Sequence, residues 1–164
     1  MKLYLFSGSG IGAGKSTTAK RLTQEVWSLA SGMREDLTRR YPTYNWYNKS
    51  QEYKDTTIIE EYGDGRRTMR DVLIEYGQSR CKNDPAYWAK ELVTYLKRRR
   101  DMYDGITVFG VDDLRKMCEL ETIKEAFPGI VVHFHIDTAR AKAEAEFEND
   151  QLAKVADYVL RWEK

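Results

Sequence analysis

Four glycines within seven residues, followed at once by a lysine, constrain the fold of this chain more than any other feature. A short apolar run at 3–6 precedes them, and a helical pattern follows Lys15. The glycines are Gly8, Gly10, Gly12 and Gly14. In the order strand, glycine-rich turn and helix, the N–H groups of the turn can surround phosphate oxygens, and the positive end of the helix adds to the field. The sequence therefore predicts a phosphate-binding P-loop.

The residues of this loop have distinct expected roles. Lys15 is expected to reach the terminal phosphates of a nucleotide, and the Ser16 hydroxyl is placed to ligate Mg²⁺. The residues predicted to bind the nucleotide are Ser9, Gly10, Gly12, Ala13, Gly14, Lys15, Ser16 and Thr17. The usual pattern has a glycine where this chain has Ser9. Either Ser9 takes the first position of the loop, or the loop carries one extra residue.

Composition excludes several classes of protein. The 164 residues suffice for one domain with a real core, and 27 basic against 26 acidic residues give no broad surface for nucleic acid. The longest apolar runs are too short to span a membrane, and the N-terminus lacks the layout of a signal peptide. We therefore expect a cytoplasmic protein without membrane or nucleic-acid partners. Cys81 and Cys118 are expected to be free thiols.

Hydrophobic periodicity predicts alternating strands and helices. The expected strands are 3–6, 106–111, 130–136 and 157–160. The expected helices are about 16–31, 33–41, 69–77, 85–100, 114–123 and 138–152, with Gly32 and Gly77 as helix ends. Residues 43–65 have no clear period but carry many aromatic side chains, and we interpret them as a partly mobile flap over a site.

This order predicts an α/β fold of three layers, a P-loop NTPase-like architecture with a mostly parallel central sheet flanked by helices. Ligands of such sheets bind at the carboxyl ends of the strands. Asp112 and Asp113 follow the second predicted strand. We expect Asp113, with Asp112, to support Mg²⁺ or its waters. His133 and His135 share one strand face, and without a third ligand nearby we interpret them as ordinary strand residues.

A P-loop with a carboxylate suited to Mg²⁺ indicates a nucleoside triphosphate but does not name the phosphate acceptor. The chain has no Asn-Lys-x-Asp element for guanine and is too short for a large motor protein. Arginines occur in many segments, and their planar guanidinium groups suit phosphate oxygens during phosphoryl transfer. A kinase is therefore favoured. Two alternatives stay open, which are a kinase of a small non-nucleotide metabolite and a non-catalytic ATP-binding module.

Several segments, in the same order, resemble the deoxynucleoside monophosphate kinases of tailed bacteriophages. The similar segments are KLYLFSG…GKSTTAKRL at the start, 32–37, 70–77 with Arg80 and Tyr87-Trp88, 113–119 and 156–160. The chain is shorter than members of that family, with a reduced lid and almost no tail. Ile74 also stands where a polar glutamine is expected, which bears on base recognition.

The resemblance implies one kinase domain in three parts. The core would comprise about 1–31, 84–137 and 155–164, the region that binds a nucleoside monophosphate about 32–83, and a short lid about 138–152. The implied reaction converts ATP and a (deoxy)nucleoside monophosphate into ADP and the diphosphate by direct in-line transfer with Mg²⁺. The family often dimerises, which implies a homodimer.

The resemblance also implies roles for individual residues. Arg34, Arg70 and Arg80 would hold the acceptor phosphate, and Arg115 would stabilise the charge of the transition state. Together with Lys15 and Asp113, the catalytic set would include Arg140, which lid closure would bring onto the phosphates. Candidates for stacking the acceptor base are Trp46, Tyr76 and Trp88, although each is more often a core residue.

Overall fold

The structure is a computed structural model of the chain. It describes residues 1–10, 12–48, 50–102, 105, 108–139 and 148–162. The chain forms two compact units. Unit 1 comprises Met1–Leu29 and Ala89–Lys164, and unit 2 comprises Ala30–Trp88. In the described part of the chain, no helix is both long enough and apolar enough to cross a membrane.

Unit 1 is built on a five-stranded sheet in which every pair of neighbours is parallel. The strands are β1 (Lys2–Gly8), β2 (Glu25–Trp27), β3 (Val108–Val111), β4 (Val131–Asp137) and β5 (Tyr158–Arg161). Their order across the sheet is β2-β3-β1-β4-β5. Because β1 is central, its side chains Leu3, Leu5 and Phe6 are completely buried. The predicted α/β fold with a parallel sheet is confirmed.

Helices flank this sheet in unit 1, and helices also form most of unit 2. They are α1 (Lys15–Leu22), α2 (Leu29–Arg40), α3 (Gln51–Thr56), α4 (Met69–Cys81), α5 (Tyr87–Met102), α6 (Met117–Ala126) and α7 (Asn149–Lys154). Of the predicted helix over 138–152, the described residues show α7 at its C-terminal end, whereas Thr138 and Ala139 are not helical. Residues 140–147 of that segment, and with them most of the predicted lid, lie outside the described residues.

The prediction of one helix over 16–31 is wrong. The first helix ends at Leu22, where the N–H and the hydroxyl of Thr23 both donate to the carbonyl of Ala19 at 3.0 and 2.7 Å. The next residues form β2, which pairs with β3, and the indole of Trp27 stacks on Tyr95 with ring centroids 4.1 Å apart. A strand of three residues is too short to produce a period of its own, and its apolar residues fit the helical spacing of their neighbours.

Two glycines that were expected to end helices lie inside them. The second helix, α2, runs through Gly32, and α4 runs through Gly77 to Cys81. At Gly77 an added Cβ would lie 3.1 Å from the sulfur of Met33, so the glycine allows α2 and α4 to approach closely. The start of α4 is fixed by a capping box between Thr68 and Asp71. Packing and capping therefore outweigh the low helix propensity of glycine here.

The interpretation of residues 43–65 as a flap is also wrong. Trp46 and Ile59 are 0% exposed and pack in the core of unit 2 with Leu37, Met69 and Val72. Four partly buried tyrosines of unit 2, Tyr41, Tyr44, Tyr53 and Tyr62, pack against the same cluster. An antiparallel bridge joins residues 58 and 68. The segment lacks a period because it contributes isolated aromatic side chains to a core rather than one face of a long helix.

Candidate functional site

The topology of the sheet creates a crevice between the carboxyl ends of β1 and β4. From β1 the chain moves past β3 to β2, whereas from β4 it moves in the opposite direction to β5. Ligands of open parallel sheets bind at such a switch point, outside the carboxyl ends of the strands. The glycine-rich loop (residues 8–14) leaves β1 at this place. The loop therefore lies where the fold favours a ligand.

Ser9 joins this loop to the end of β4. Its N–H donates to the carbonyl of Ile136 at 2.9 Å, and its hydroxyl oxygen accepts the N–H of Thr138 at 3.1 Å. A glycine has no hydroxyl group and could not accept this hydrogen bond from Thr138. An added Cβ at Gly8 would lie 3.0 Å from both the Ala13 Cβ and the Ile136 carbonyl, so close packing requires glycine one residue earlier. This explains the departure of the loop from the usual pattern.

The other end of the loop presents positive charge and backbone donors. Gly14 has a φ of +90°, which L side chains rarely adopt, and it is the N-cap of α1 without a side-chain cap. The Nζ atom of Lys15 folds back and donates to the carbonyl of Gly10 at 2.9 Å. Ser16 and Thr17 are exposed on the first turn of α1. A helix N-terminus with an adjacent ammonium group is suited to an anion.

Beneath the loop lies a buried polar cluster formed by Ser7, His133 and His135. The Ser7 hydroxyl hydrogen-bonds His133 Nε2 at 2.7 Å and His135 Nδ1 at 2.9 Å. Burial lowers the pKa of His133 to about 4, and burial also lowers the pKa of His135, to which the charge of Lys15 contributes. Because both imidazoles are therefore neutral, they add no positive charge beneath the loop. These histidines tie β4 to β1, and none of the described residues form a group of three or more potential metal ligands.

The two aspartates after β3 lie at the same edge of the sheet. Asp113 accepts the Ser28 hydroxyl and the N–H of Leu29, both at 2.6 Å, and so fixes the chain where β2 passes into α2. The N–H of Asp112 donates to the carbonyl of Trp27 at 3.2 Å. Hydroxyl and carboxylate oxygens are the ligands that Mg²⁺ prefers. The chemistry of Ser16, Asp112 and Asp113 therefore fits a magnesium ion that would neutralise phosphate charge.

Arg115 is exposed in the turn between β3 and α6. Its N–H and that of Lys116 donate to Glu119 Oε2 at 2.9 and 3.0 Å, and its carbonyl accepts the N–H of Glu148 at 3.1 Å. Burial raises the pKa of Glu119 to about 7, with the negative charge of Asp113 adding to the shift. The backbone of this turn is thus held from two sides while the guanidinium side chain extends outward. The predicted catalytic partner Arg140 lies outside the described residues.

A pocket of about 270 Å³ opens beside the glycine-rich loop. It is lined by Gly12, Ala13, Gly14, Thr17, Thr18, Arg21, Thr138 and Trp162. Trp162 and Arg21 were not among the predicted site residues. The signal that could have indicated Trp162 is its position directly after the last strand, because the carboxyl ends of all parallel strands share one edge of the sheet.

In unit 2, two of the predicted residues form an arginine–tyrosine cluster. The Arg80 Nη2 donates to the Tyr76 hydroxyl at 2.9 Å, which donates in turn to Asp36 Oδ2 at 3.2 Å. The Arg80 guanidinium lies over the rings of Tyr76 and Tyr87, at 5.3 and 5.7 Å from their centroids. The Arg40 guanidinium lies 5.8 Å from the Tyr76 centroid. Tyr76 is only 8% exposed and belongs to the core of unit 2, so the cluster combines positive charge with the half-buried ring of Tyr87.

Three of the remaining predicted substrate residues, Arg34, Arg70 and Trp88, have different hydrogen-bond and ion-pair partners. The Nε of Arg34 is buried and has no hydrogen-bond partner in the described part of the chain. Arg70 forms an ion pair with Asp55, so a role in phosphate binding would require that pair to open. The Trp88 indole N–H donates to the Gly77 carbonyl at 3.2 Å, and its ring meets that of Tyr87 edge to face.

Two stacking candidates, Trp46 and Tyr76, belong to the core of unit 2, and Tyr76 is only 8% exposed. The Trp46 side chain is completely buried, and its indole N–H donates to the carbonyl of Tyr41 at 3.0 Å. A ring with both faces covered by core side chains has no surface left for a base. Trp46 is a core residue.

Comparison with known proteins leaves the family open. No protein-family model matches the chain, and no curated protein matches it. Among solved structures, the chain is similar to the unliganded crystal structure of a sugar kinase from Janibacter sp. HTCC2649, at 16% identity and a TM-score of 0.47, over 98% of this chain and 85% of that chain. At this degree of likeness, the match carries no conclusion about the activity or substrate of this chain.

Proposed function

We propose that the chain is an ATP-dependent kinase that transfers the terminal phosphate of a Mg²⁺-bound nucleoside triphosphate to a (deoxy)nucleoside monophosphate. The observation that carries this proposal is the arrangement at the switch point of the sheet. There the loop of residues 8–14 ends at the uncapped N-terminus of α1, with the Lys15 ammonium folded over it. Backbone donors and one mobile cation directed at one place are what a polyphosphate chain needs.

In this proposal the donor side of the reaction is as follows. The N–H groups of the loop and of the first turn of α1 bind the phosphates, and Lys15 exchanges the Gly10 carbonyl for a phosphate oxygen. Ser16, with Asp112 and Asp113, would hold the Mg²⁺ ion, which would supply neutralising charge. Phosphoryl transfer demands positioning and charge stabilisation more than covalent chemistry from the protein. An oxygen of the acceptor phosphate attacks the terminal phosphorus, and the bond from that phosphorus to the bridging oxygen of the donor breaks.

The acceptor side rests on the arginine–tyrosine cluster of unit 2. Arg80 is oriented by the rings of Tyr76 and Tyr87 and uses one of its donors for the Tyr76 hydroxyl. Its other N–H groups suit phosphate oxygens, and Arg34 carries a buried Nε without a partner in the described chain. Arginine side chains that suit phosphate oxygens, beside the half-buried rings of Tyr87 and Trp88, support an acceptor that combines a phosphate with a ring. A nucleoside monophosphate is such a molecule.

The experiment is an ADP-release assay with Mg²⁺-ATP, in which the acceptor is each of the four deoxynucleoside monophosphates, AMP or none. We expect turnover that depends on the acceptor. In Lys15→Ala we expect kcat to fall about 100-fold or more, because a charge at the developing negative oxygens is lost. Lys20→Ala, which removes an exposed lysine from the same helix, is the matched control and should keep full activity.

Binding of ATP without turnover for any monophosphate would overturn the proposal and leave an ATP-binding module or a kinase of another small molecule. ADP release at the same rate without acceptor would also overturn it, because hydrolysis rather than transfer would then be the reaction.

A further inference from the structure

The pocket beside the glycine-rich loop contains an aromatic side chain that phosphate binding does not use. Trp162 is 50% exposed and lines the pocket together with Arg21 on α1. Its backbone is fixed, because its N–H donates to the carbonyl of Asp137 at 3.3 Å and so extends the pairing of β5 with β4. The indole is thus attached to the rigid edge of the sheet, at the end where the loop lies.

The position of the indole relative to α1 decides what can bind there. The Nε1 atom of Trp162 lies 4.0 Å from the place where a Cβ on Gly14 would be. Gly14, Thr17 or Thr18, and Arg21 follow each other at intervals of three or four residues, so they form one face of α1. The pocket therefore has a helix face as its floor and an indole as one wall, and it begins where the phosphate-binding N–H groups end.

This combination matches a polyphosphate that carries a flat ring. An inorganic anion could use only the indole N–H and would gain nothing from the face of the ring, whereas a nucleobase stacks on that face. The Arg21 guanidinium is a planar cation that stacks on aromatic faces as well. A base held between the two side chains would keep its phosphates next to Gly14 and Lys15.

The residues that line the pocket also bear on which base can bind. In the described chain this lining has no Asn, Gln, Asp or Glu side chain, so it lacks the amide and carboxylate groups that pair with the edges of adenine and cytosine, and its polar side chains are Arg21 and threonines. The Thr18 hydroxyl donates to the Gly14 carbonyl at 3.0 Å. Stacking alone tolerates every base, because each base has a π-face.

We propose that Trp162, together with Arg21, is the stacking platform for the base of the phosphate donor, and that the protein accepts donor triphosphates of any base. The inference rests on the proposed phosphate site. It adds a base-binding residue and a prediction about the donor that the phosphate site alone does not make.

The test is equilibrium binding by calorimetry, with Mg²⁺ complexes of ATP, GTP, CTP, UTP and inorganic tripolyphosphate. In the wild type we expect the four nucleotides to bind within roughly fivefold of one another, and each about tenfold or more tighter than tripolyphosphate. Trp162→Ala should bring the nucleotides down to the level of tripolyphosphate, whereas Trp162→Phe should keep most of the difference. Tyr158→Ala, which removes an exposed aromatic ring of β5 that stacks on Phe134 and does not line the pocket, is the control and should leave the nucleotide affinities unchanged.

Failure of this inference differs from failure of the proposed function. If Trp162→Ala leaves the difference between ATP and tripolyphosphate intact, the stacking role is wrong. If one base binds more than about 50-fold better than the others, the tolerance of bases is wrong. If tripolyphosphate does not bind, or binds equally in Lys15→Ala, the phosphate site itself is wrong and the platform falls with it. Circular dichroism of each variant verifies its fold.

Discussion

Two buried titratable residues of unit 1 make opposite contributions to the pH dependence of folding. The pKa of His133 falls from 6.5 to about 4 through burial, so the folded state binds fewer protons than the unfolded chain in this range. The stability from this group is present above pH 6.5 and is lost as the pH falls through 4. Burial raises the pKa of Glu119 from 4.5 to about 7. Its stability is present below pH 4.5 and is lost as the pH rises through 7.

Glu119→Gln should separate the contributions of Glu119 and His133 to the pH dependence of the free energy of unfolding. Between pH 4.5 and pH 7, the free energy of unfolding of the variant should rise relative to that of the wild type by on the order of 2 kcal/mol, because the variant keeps the His133 contribution and loses that of Glu119. The measurement is urea unfolding at a series of pH values. Glu121→Gln, which removes an exposed carboxylate from the same helix, is the control. Parallel pH profiles for Glu119→Gln and the wild type would contradict the assignment.

Individual site residues differ in how far the sequence could predict them. The roles proposed for Lys15 and Ser16 follow from a local motif, in which neighbours in sequence are neighbours in space. Trp162 lies more than a hundred residues from Gly14 in the chain, and only the strand order brings the two together. The sequence pattern around Trp46 likewise could not distinguish a base-stacking ring from a core ring, because both are aromatic residues in a polar segment.

Among the elements, the junction of β1 with the glycine-rich loop is the most constrained. Gly8 is the last residue of β1 and packs against Ala13, the Ile136 carbonyl and the Lys15 stem. The loop depends on this approach, since Ser9 can reach Thr138 only when β1 and β4 stay paired up to Gly8. Substitution at this one position therefore tests whether the geometry of the loop matters.

We expect Gly8→Ala to destabilise the protein by about 1–3 kcal/mol, because its Cβ would meet backbone and Cβ atoms at 3.0 Å that have little freedom to move. The affinity for Mg²⁺-ATP should fall as well, since the loop has to shift. Thermal unfolding and calorimetric binding measure the two effects. Gly105→Ala is the control, because an added Cβ there meets no atom of the described residues within 4 Å. Equal unfolding temperatures and affinities for Gly8→Ala and the wild type would contradict this account of the loop.

Elements with a clear period were predictable and short ones were not. The apolar runs of β1, β3 and β4 gave strands at nearly their observed positions, because a buried parallel strand is apolar on both faces. The three-residue strand β2 and the six-residue helix α3 were missed, and the six-residue helix α7 coincides only in part with the predicted helix over 138–152. Elements of this length owe their conformation to pairing and capping partners, such as β3 for β2 and Ser50 for α3.

At the scale of the whole molecule, chemistry-bearing residues lie in both units. Unit 1 gathers the ends of its strands, and with them the glycine-rich loop, the two aspartates and Trp162, at one edge of its sheet. Unit 2 has its own aromatic core around Trp46 and a cluster of arginines and tyrosines around Tyr76. The alternation of strands and helices was enough to predict the sheet. The core of unit 2 was not predictable, because it is assembled from side chains scattered over irregular segments.

Phosphoryl transfer to a nucleoside monophosphate can be measured by following the transferred phosphate itself. The protein would be incubated with ATP labelled at its terminal phosphate and with each monophosphate, and the products separated by chromatography. We expect the label to appear in the nucleoside diphosphate made from the acceptor. We also expect Lys15→Ala to abolish this product, whereas Lys20→Ala should not. Label that stays in ATP, or appears only as inorganic phosphate, would contradict the proposed transfer to a nucleoside monophosphate.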